Sequence, residues 1–179
     1  MCIRDSLYDK KTGKYNEPFF EQYWLKGRIV RLGGYYRELG LAYRKDKPLK
    51  GVRDLLTGRY RLANRNVGSG TRVMLEALLS EEGVSAEEAS KRIPGFETEY
   101  RTHTEVVEAV ASGSADVGLT VRVAAEAKGL GFLSLKWELY EIVALKESLV
   151  KDEVRRLIKA LSSREVRELM ASLPGYRPL

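Results

Sequence analysis

The sequence predicts an α/β protein, with mostly parallel strands and with helices on both faces of the sheet. Between residues 58 and 135, short apolar runs of strand character alternate with runs of helical periodicity, and this alternation is typical of parallel sheets. Capping residues and glycine stops separate the runs. The 179 residues, 44% of them hydrophobic and 31% charged, can form one ordinary domain or two small lobes.

Fewer helices and strands are predicted before residue 58. Residues 1–15 show no periodicity, and MCIRDS resembles a junction sequence at the starts of assembled reading frames, so we expect the natural N-terminus to be missing. Asn16 can cap a helix that ends at Gly27. Strands are predicted at 28–32 and 39–43, separated by Gly33 and Gly34, and a short helix at 52–56. The first predicted helix carries an aromatic face of Phe19, Phe20, Tyr23 and Trp24.

From residue 59 onward the predicted elements alternate regularly. Strands are expected at 59–63, 96–100, 115–119, 131–135 and 139–145. A helix is expected from residue 73, two more begin at the capping boxes Ser85/Glu88 and Thr102/Glu105, and Thr120 can cap a fourth at 121–128. The last two helices show the spacing of a buried face, at Val154, Leu157, Ile158 and Leu161 and then at Val166, Leu169, Met170 and Leu173.

One loop concentrates hydrogen-bond donors at a helix start. It follows the strand at 59–63 and contains Arg65, Gly68, Ser69, Gly70, Thr71 and Arg72. Helix N-termini carry unpaired N–H groups and a partial positive charge, so they suit anions. Two more strand-to-helix turns should meet it at the same edge of the sheet, Thr102-His103-Thr104 and Thr120-Val121-Arg122. Together these turns predict an oxyanion site.

Each candidate also has a plainer interpretation. Gly68 and Gly70 can serve only a tight turn, and Thr120 can be a cap or a ligand contact. We interpret His103 as a helix-start or cleft-wall residue rather than a catalytic base. Asp116 can orient Arg65 or Arg122, or simply end a strand. We interpret Tyr140 as an aromatic residue of the core or the hinge, and contact with a ligand is the alternative.

The sequence lacks the motifs of several other ligand-binding and catalytic sites. The loop lacks the Gly-Lys-Ser/Thr of a phosphate-binding Walker loop and the third glycine of a dinucleotide fingerprint, and no Gly-x-Ser-x-Gly elbow occurs. A single cysteine, Cys2, and a single histidine exclude disulfides and Cys- or His-rich metal sites. We therefore expect no catalytic residues, no metal and no cofactor. No run long enough to span a bilayer and no secretory leader is readable, which favours the cytoplasm.

The charge is divided unevenly along the chain. Residues 1–72 carry 17 Lys/Arg and 7 Asp/Glu, a balance of +10, whereas residues 73–179 carry 14 and 18, a balance of −4. The basic half could steer a small anion or form an ordinary solvated surface. Because no Lys/Arg run is interleaved with stacking aromatics, we expect no direct contact with nucleic acid.

Residues 64–79 (NRNVGSGTRVMLEALL) and 102–147 resemble a known family. They are similar to the periplasmic-binding-protein-like domain of molybdenum-related proteins, which occurs behind molybdopterin-biosynthesis (molybdenumtransferase) modules, behind helix-turn-helix regulators, and as free molybdate or tungstate binders. The resemblance extends from residue 8 to the end. Arg65, Ser69, Gly70 and Thr71 also match the Arg-x-x-x-Ser-Gly-Thr spacing of phosphate-binding relatives.

This resemblance implies a two-lobed fold whose first lobe lacks its N-terminal part. Residues 58–135 would form the complete second lobe, and residues 1–57 and 136–179 a partial first lobe with the hinge segments. The implied function is noncatalytic binding of an oxyanion such as molybdate or tungstate, within molybdenum-cofactor biosynthesis. Two alternatives stay open: a solute receptor of an ABC transporter, and the effector domain of a helix-turn-helix regulator. A fused biosynthetic or DNA-binding module is the implied partner.

Overall fold

The computed structural model describes residues 2–5, 8, 9, 11–23 and 25–179, with side chains from residue 8 onward. Trp24 of the predicted aromatic face therefore lies outside the described residues. The strands are β1 Cys2–Asp5, β2 Ile29–Tyr43, β3 Leu62–Arg65, β4 Glu99–Tyr100, β5 Val117–Val121, β6 Gly131–Leu145 and β7 Tyr176–Pro178. The α-helices are α1 Glu17–Gln22, α2 Gly70–Glu81, α3 Ala86–Arg92, α4 His103–Ala111, α5 Arg122–Ala127, α6 Asp152–Leu161 and α7 Arg164–Ser172. Two 3₁₀ helices, Val52–Thr57 and Lys146–Val150, complete the structure of the described residues.

The chain divides into two compact units. The first unit contains residues 1–37 and 137–179, and the second contains residues 38–136. Segment 38–57, which the sequence placed in the first lobe, packs inside the second unit through Leu39, Leu41, Leu49 and Leu55. These four side chains are at most 5% exposed, so their burial explains why the boundary falls near residue 38 and not near residue 58.

The second unit is built on a mixed sheet. β3 pairs in parallel with β5, where Leu62 lies opposite Val117, and in parallel with β4, where Arg65 lies opposite Tyr100. The C-terminal part of β2 pairs with β5 in the antiparallel sense over residues 39–43. The α/β class is as predicted. The sheet is mixed and not wholly parallel, because β2 runs antiparallel to β5.

Helices cover both faces of this sheet. Neighbouring residues of β3 point in opposite directions, and Leu62 belongs to one core cluster while Ala63 belongs to another. The cluster around Leu62 contains Met74 of α2 and further residues of α2 and α3. The cluster around Ala63 contains Val106 and further residues of α4. The resulting three layers, helix, sheet and helix, place the starts of α2, α4 and α5 after parallel strands.

The first unit has a smaller core. Leu32, Ala144 and Val154 are buried there, and partly buried residues of β2, β6 and α6 pack around them. β1 pairs with β6, and β7 with the N-terminal part of β2, both in the antiparallel sense. Helix α7 contains no buried residue, and Leu169 is 62% exposed, so the buried face predicted for the last helix is wrong for that residue.

Two predicted strand breaks are absent among the described residues. β2 and β6 are each continuous over 15 residues, whereas the sequence predicted two strands at each place. At Gly34 a Cβ atom would stand 2.5 Å from the carbonyl oxygen of Tyr140 on β6. The glycine therefore permits close approach of two backbones instead of ending a strand.

Several helix starts differ from the prediction. Asn16 makes no side-chain cap, and its amide donates to Glu141 at 2.9 Å instead. The capping box at Thr102 is confirmed with both of its bonds, and Ser85 caps α3 by accepting from the Glu88 amide. Thr120 lies inside β5, fully buried, and Val121 precedes α5 without a side-chain cap, so the predicted cap at Thr120 is wrong.

Candidate functional site

Three helix starts meet at one edge of the second unit's sheet. β3, β4 and β5 are mutually parallel through β3, so their C-terminal ends lie at the same edge. Helix α2 follows β3, α4 follows β4, and α5 follows β5 directly. This is the edge at which open α/β sheets bind ligands, because the helix N-termini gather there.

The loop between β3 and α2 exposes hydrogen-bond donors. Gly68 has φ +82°, a left-handed conformation that favours glycine, and a Cβ there would meet nothing within 4 Å. Ser69 caps α2 by accepting from the Arg72 amide at 3.3 Å. The amides of Gly70 and Thr71, and the Thr71 hydroxyl, have no hydrogen-bond acceptor among the described residues. Gly68 is exposed and Ser69 and Gly70 are half-buried, so the bend reaches solvent, whereas Thr71 is buried, with 3% of its surface exposed.

A contact chain joins the three turns. Arg65, the last residue of β3, places its Nη1 3.1 Å from both ring nitrogens of His103, the first residue of α4. Nδ1 of the same imidazole lies 3.3 Å from the hydroxyl of Thr120 on β5. The Arg65 guanidinium is oriented by the carbonyls of Tyr100 and Arg101, at 3.1 and 2.8 Å. Arg65, His103 and Thr120 are thus brought together as predicted.

Arg72 occupies a different environment. Its side chain is 4% exposed and contacts three carboxylates, Glu76 at 3.1 Å and Glu97 and Glu99 at 3.3 Å. The guanidinium also lies 5.0 Å from the centre of the Phe96 ring. Direct contact of this side chain with a ligand would require it to leave a carboxylate, so its predicted ligand role stays a prediction that the local geometry does not favour.

Arg122 is also paired with carboxylates. Glu38 on β2 accepts from its Nε at 2.5 Å and from its Nη2 at 3.0 Å, and Glu126 accepts from its Nη1 at 3.2 Å. The bond to Glu38 raises the pKa of Arg122 above its usual value, although burial opposes that shift. The side chain also stacks over Phe132 at 4.9 Å. The positive charge of Arg122 is therefore balanced by carboxylates of the protein itself.

The structure also gives the surroundings of Asp116 and Tyr140, for which the sequence left two interpretations each. Asp116 pairs with neither Arg65 nor Arg122: it accepts from the Arg61 amide at 2.8 Å and pairs with Lys47 at 3.0 Å. Burial raises the pKa of Asp116, but the hydrogen bond from the Arg61 amide and the pairing with Lys47 lower it by more. The pKa of Asp116 therefore lies below its usual value. Tyr140 belongs to the first unit, where its ring stacks on that of Tyr35 at 5.0 Å, and the Arg37 guanidinium carbon lies 4.8 Å from the centre of the Tyr140 ring.

The start of α4 is held by its capping box. The Thr102 hydroxyl accepts from the Glu105 amide at 3.1 Å, and the Glu105 carboxylate accepts from the amides of Arg101 and Thr102. These amide bonds, that of Thr102 first, lower the pKa of Glu105. The box fixes the turn that carries His103 toward Arg65 and Thr120.

Three residues of this edge were missed by the sequence reasoning. Asn64 is fully buried, and it accepts from the Arg65 amide and donates to the Phe96 carbonyl, both at 2.9 Å. Glu38 and Glu99 are the carboxylates that pair with Arg122 and Arg72. The position of Asn64 next to Arg65 is a usable signal, but the two glutamates are distant in sequence and only the strand register reveals them.

The described residues contain no group of three or more His, Cys, Asp or Glu side chains that could hold a metal ion. In the same part of the chain, no helix has both the length and the apolar character needed to cross a membrane.

Sequence comparisons identify relatives along most of the chain. The model of the PBP superfamily domain matches residues 5–162. YvgK, an uncharacterised protein of Bacillus subtilis strain 168, is 30% identical over 173 residues, which are 95% of this chain and 54% of that protein. The chain therefore spans about half the length of this relative. An uncharacterised Clostridium pasteurianum protein, encoded in the 5′ region of a 2Fe-2S ferredoxin gene, is 29% identical over 85 residues, 47% of this chain and 75% of that protein.

Solved structures with the same fold are numerous. One is a substrate-binding domain described as that of a molybdenum ABC transporter from Clostridium difficile, with a TM-score of 0.55 and 17% identity over 90% of this chain and 72% of that one. Another is a Burkholderia cenocepacia nutrient-binding protein bound to methionine, with a TM-score of 0.55 and 20% identity over 98% and 78% of the two chains. At these identities the likeness shows the fold alone, and it confirms the predicted two-lobed class.

Proposed function

The chain belongs to the PBP superfamily of substrate-binding domains, and we propose that its second unit binds a small tetrahedral oxyanion at the start of α2. The observation that carries this proposal is the contact chain Arg65–His103–Thr120, because it joins the C-terminal ends of β3 and β5 to the start of α4, at the edge where the loop into α2 begins. Tetrahedral oxyanions accept several hydrogen bonds at once and are bound well by such convergent donors.

The proposed site combines three kinds of hydrogen-bond donor. The amides of Gly70 and Thr71 point out of the first helical turn, where the macrodipole is positive, and they have no acceptor among the described residues. The hydroxyls of Ser69 and Thr71 and the guanidinium of Arg65 complete the set. A hydrogen bond to a charged acceptor contributes about 1.5–3 kcal/mol, so three or four of them, less desolvation and ordering costs, give roughly micromolar affinity.

We assign molybdate and tungstate as the first ligands to test, and molybdenum-cofactor biosynthesis as the process served. The support is the resemblance of residues 64–79 and 102–147 to the domain of molybdenum-related proteins, together with the convergent donor geometry. The hydroxyl beside His103 is that of Thr120, 3.3 Å from Nδ1, and because Thr120 is fully buried we do not assign it as a nucleophile. The proposed role is capture and delivery of the anion without catalysis.

Calorimetric titration of the chain with molybdate, tungstate, phosphate and sulfate tests the proposal. Thr71→Val should weaken binding about 10- to 100-fold, because it removes a hydroxyl donor at constant shape, and should change thermal stability little, because that hydroxyl has no partner among the described residues. Arg65→Lys should weaken binding similarly, since lysine cannot reproduce the forked donors.

Ser80→Ala is the matched control, since Ser80 is exposed at the opposite end of the same helix and should leave binding unchanged. If Thr71→Val and Arg65→Lys bind every anion as tightly as the parent chain, the site lies elsewhere and the proposal is wrong.

A further inference from the structure

A carboxylate lies at the entry of the proposed anion loop. Oε1 of Glu99, on β4, accepts from the Val67 amide at 3.1 Å and from Nη1 of Arg72 at 3.3 Å. Both Glu99 and Val67 reach solvent, with 44% of the Glu99 side chain and 66% of Val67 exposed. An anionic group of the protein itself thus binds a backbone donor of the loop that is expected to bind an external anion.

Glu99 shares its guanidinium partner with two other carboxylates. Arg72 is the only guanidinium in contact with Glu99 within the described part of the chain, and it is shared with Glu76 and Glu97. Because Arg72 is 4% exposed and lies over Phe96, its charge is turned inward, whereas Glu99 keeps contact with solvent.

The distance to the proposed ligand is short enough for this charge to matter. Val67 precedes Ser69 by two residues, and consecutive Cα atoms are about 3.8 Å apart, so the Glu99 carboxylate lies within roughly 10 Å of the backbone of Ser69, whose hydroxyl is one of the proposed donors. That separation equals about one Debye length at 0.1 M salt, so repulsion between the carboxylate and a bound anion is only partly screened.

We infer that Glu99 sets the charge preference of the oxyanion site, by repelling bound anions in proportion to the charge they carry. This inference rests on the proposed function of the same loop. With an effective dielectric constant between about 25 and 80, one carboxylate at about 10 Å lowers the affinity roughly 2- to 10-fold for each unit of ligand charge. The effect on a divalent anion is then the square of the effect on a monovalent one.

Tungstate and perrhenate are the probes, because both are tetrahedral oxyanions of heavy metals and carry charges of −2 and −1. Calorimetry at low salt on the chain with Glu99→Gln should show a larger gain for tungstate than for perrhenate, about 4- to 100-fold against 2- to 10-fold. The glutamine keeps an acceptor for the Val67 amide. At 1 M salt, where the Debye length is about 3 Å, both gains should shrink toward unity.

Two further variants separate charge from positioning. Glu99→Asp keeps the charge but shortens the side chain, so the ratio of tungstate to perrhenate affinity should stay at the parent value. Glu87→Gln removes one negative charge from α3, where Glu87 is 80% exposed and pairs with Lys91, and it should leave both affinities unchanged.

A parent chain that binds tungstate, together with a Glu99→Gln variant whose affinity ratio is unmoved or whose affinities both fall, would overturn this inference and leave the proposed function standing. If the parent chain fails to bind either anion, the proposed function fails and the inference with it. Titration of the parent chain therefore distinguishes a failure of the proposed function from a failure of the inference about Glu99.

Discussion

Replacing Arg122 by methionine tests how the start of α5 is anchored to β2. Glu38 is nearly buried, with 8% of its side chain exposed, and it receives two hydrogen bonds from the Arg122 guanidinium. Methionine retains an apolar side chain over the Phe132 ring, which lies 4.9 Å from the guanidinium carbon. The substitution therefore removes the charge while keeping most of the packing.

The magnitude follows from the burial of the two partners. Removing one member of a buried ion pair costs about 3–5 kcal/mol, because the other charge stays in a low-dielectric environment. Arg122 is 31% exposed, so water weakens the pair, and we expect the free energy of unfolding to fall by about 2–4 kcal/mol. For a chain of this size, that loss lowers the melting temperature by about 4–16 °C.

A double-mutant cycle measured by chemical denaturation distinguishes this explanation from simple loss of contacts. Glu38→Gln neutralises the remaining charge, so the double variant Glu38→Gln/Arg122→Met should be more stable than the sum of the single effects, by about 1–3 kcal/mol. Strict additivity of the two substitutions would refute the reasoning, because it would mean that Glu38 and Arg122 do not interact in the folded state.

Two further substitutions test the second unit. Thr102→Ala should lower stability by about 0.5–2 kcal/mol in thermal unfolding, because the α4 cap is lost, whereas Thr104→Ala, an exposed neighbour, should change it by less than about 0.5 kcal/mol; equal effects would contradict the cap. Asp116→Asn should cost about 1 kcal/mol at pH 7. The folded pKa of Asp116 is lowered, so this stabilisation is present above about pH 4 and lost as the pH falls through the folded value; a difference that is independent of pH would refute it.

The sequence predicted most helices of the second unit because their signals are local. The capping box of α4 and the serine cap of α3 depend on residues three positions apart in the sequence. Helix α2 was expected from residue 73, but it begins at Gly70 with Ser69 as its cap. The strands were predicted with shifted ends: β3 begins at Leu62, not at residue 59. Strand ends depend on which partner lies alongside, and this is not a local property.

The meeting of three candidate residues could be predicted from the sequence, but the carboxylates near them could not. Arg65, His103 and Thr120 could be placed together, because parallel strands put their C-terminal ends at one edge. The carboxylates Glu38 and Glu99 could not, because each lies far along the chain from the arginine it meets, at 84 and 27 residues of separation. Contacts of that kind follow from sheet register, which sequence periodicity does not specify.

The split composition of the first unit has a consequence for synthesis on the ribosome. β1 pairs with β6 so that Cys2 lies opposite Ala144, and β7 joins β2 at Tyr35. The second unit, by contrast, is one uninterrupted stretch from residue 38 to residue 136. Residues 1–37 leave the exit tunnel before the second unit and yet must wait for residues 137–179 before their sheet can close. The continuous segment 38–136 can therefore fold before the first unit is complete.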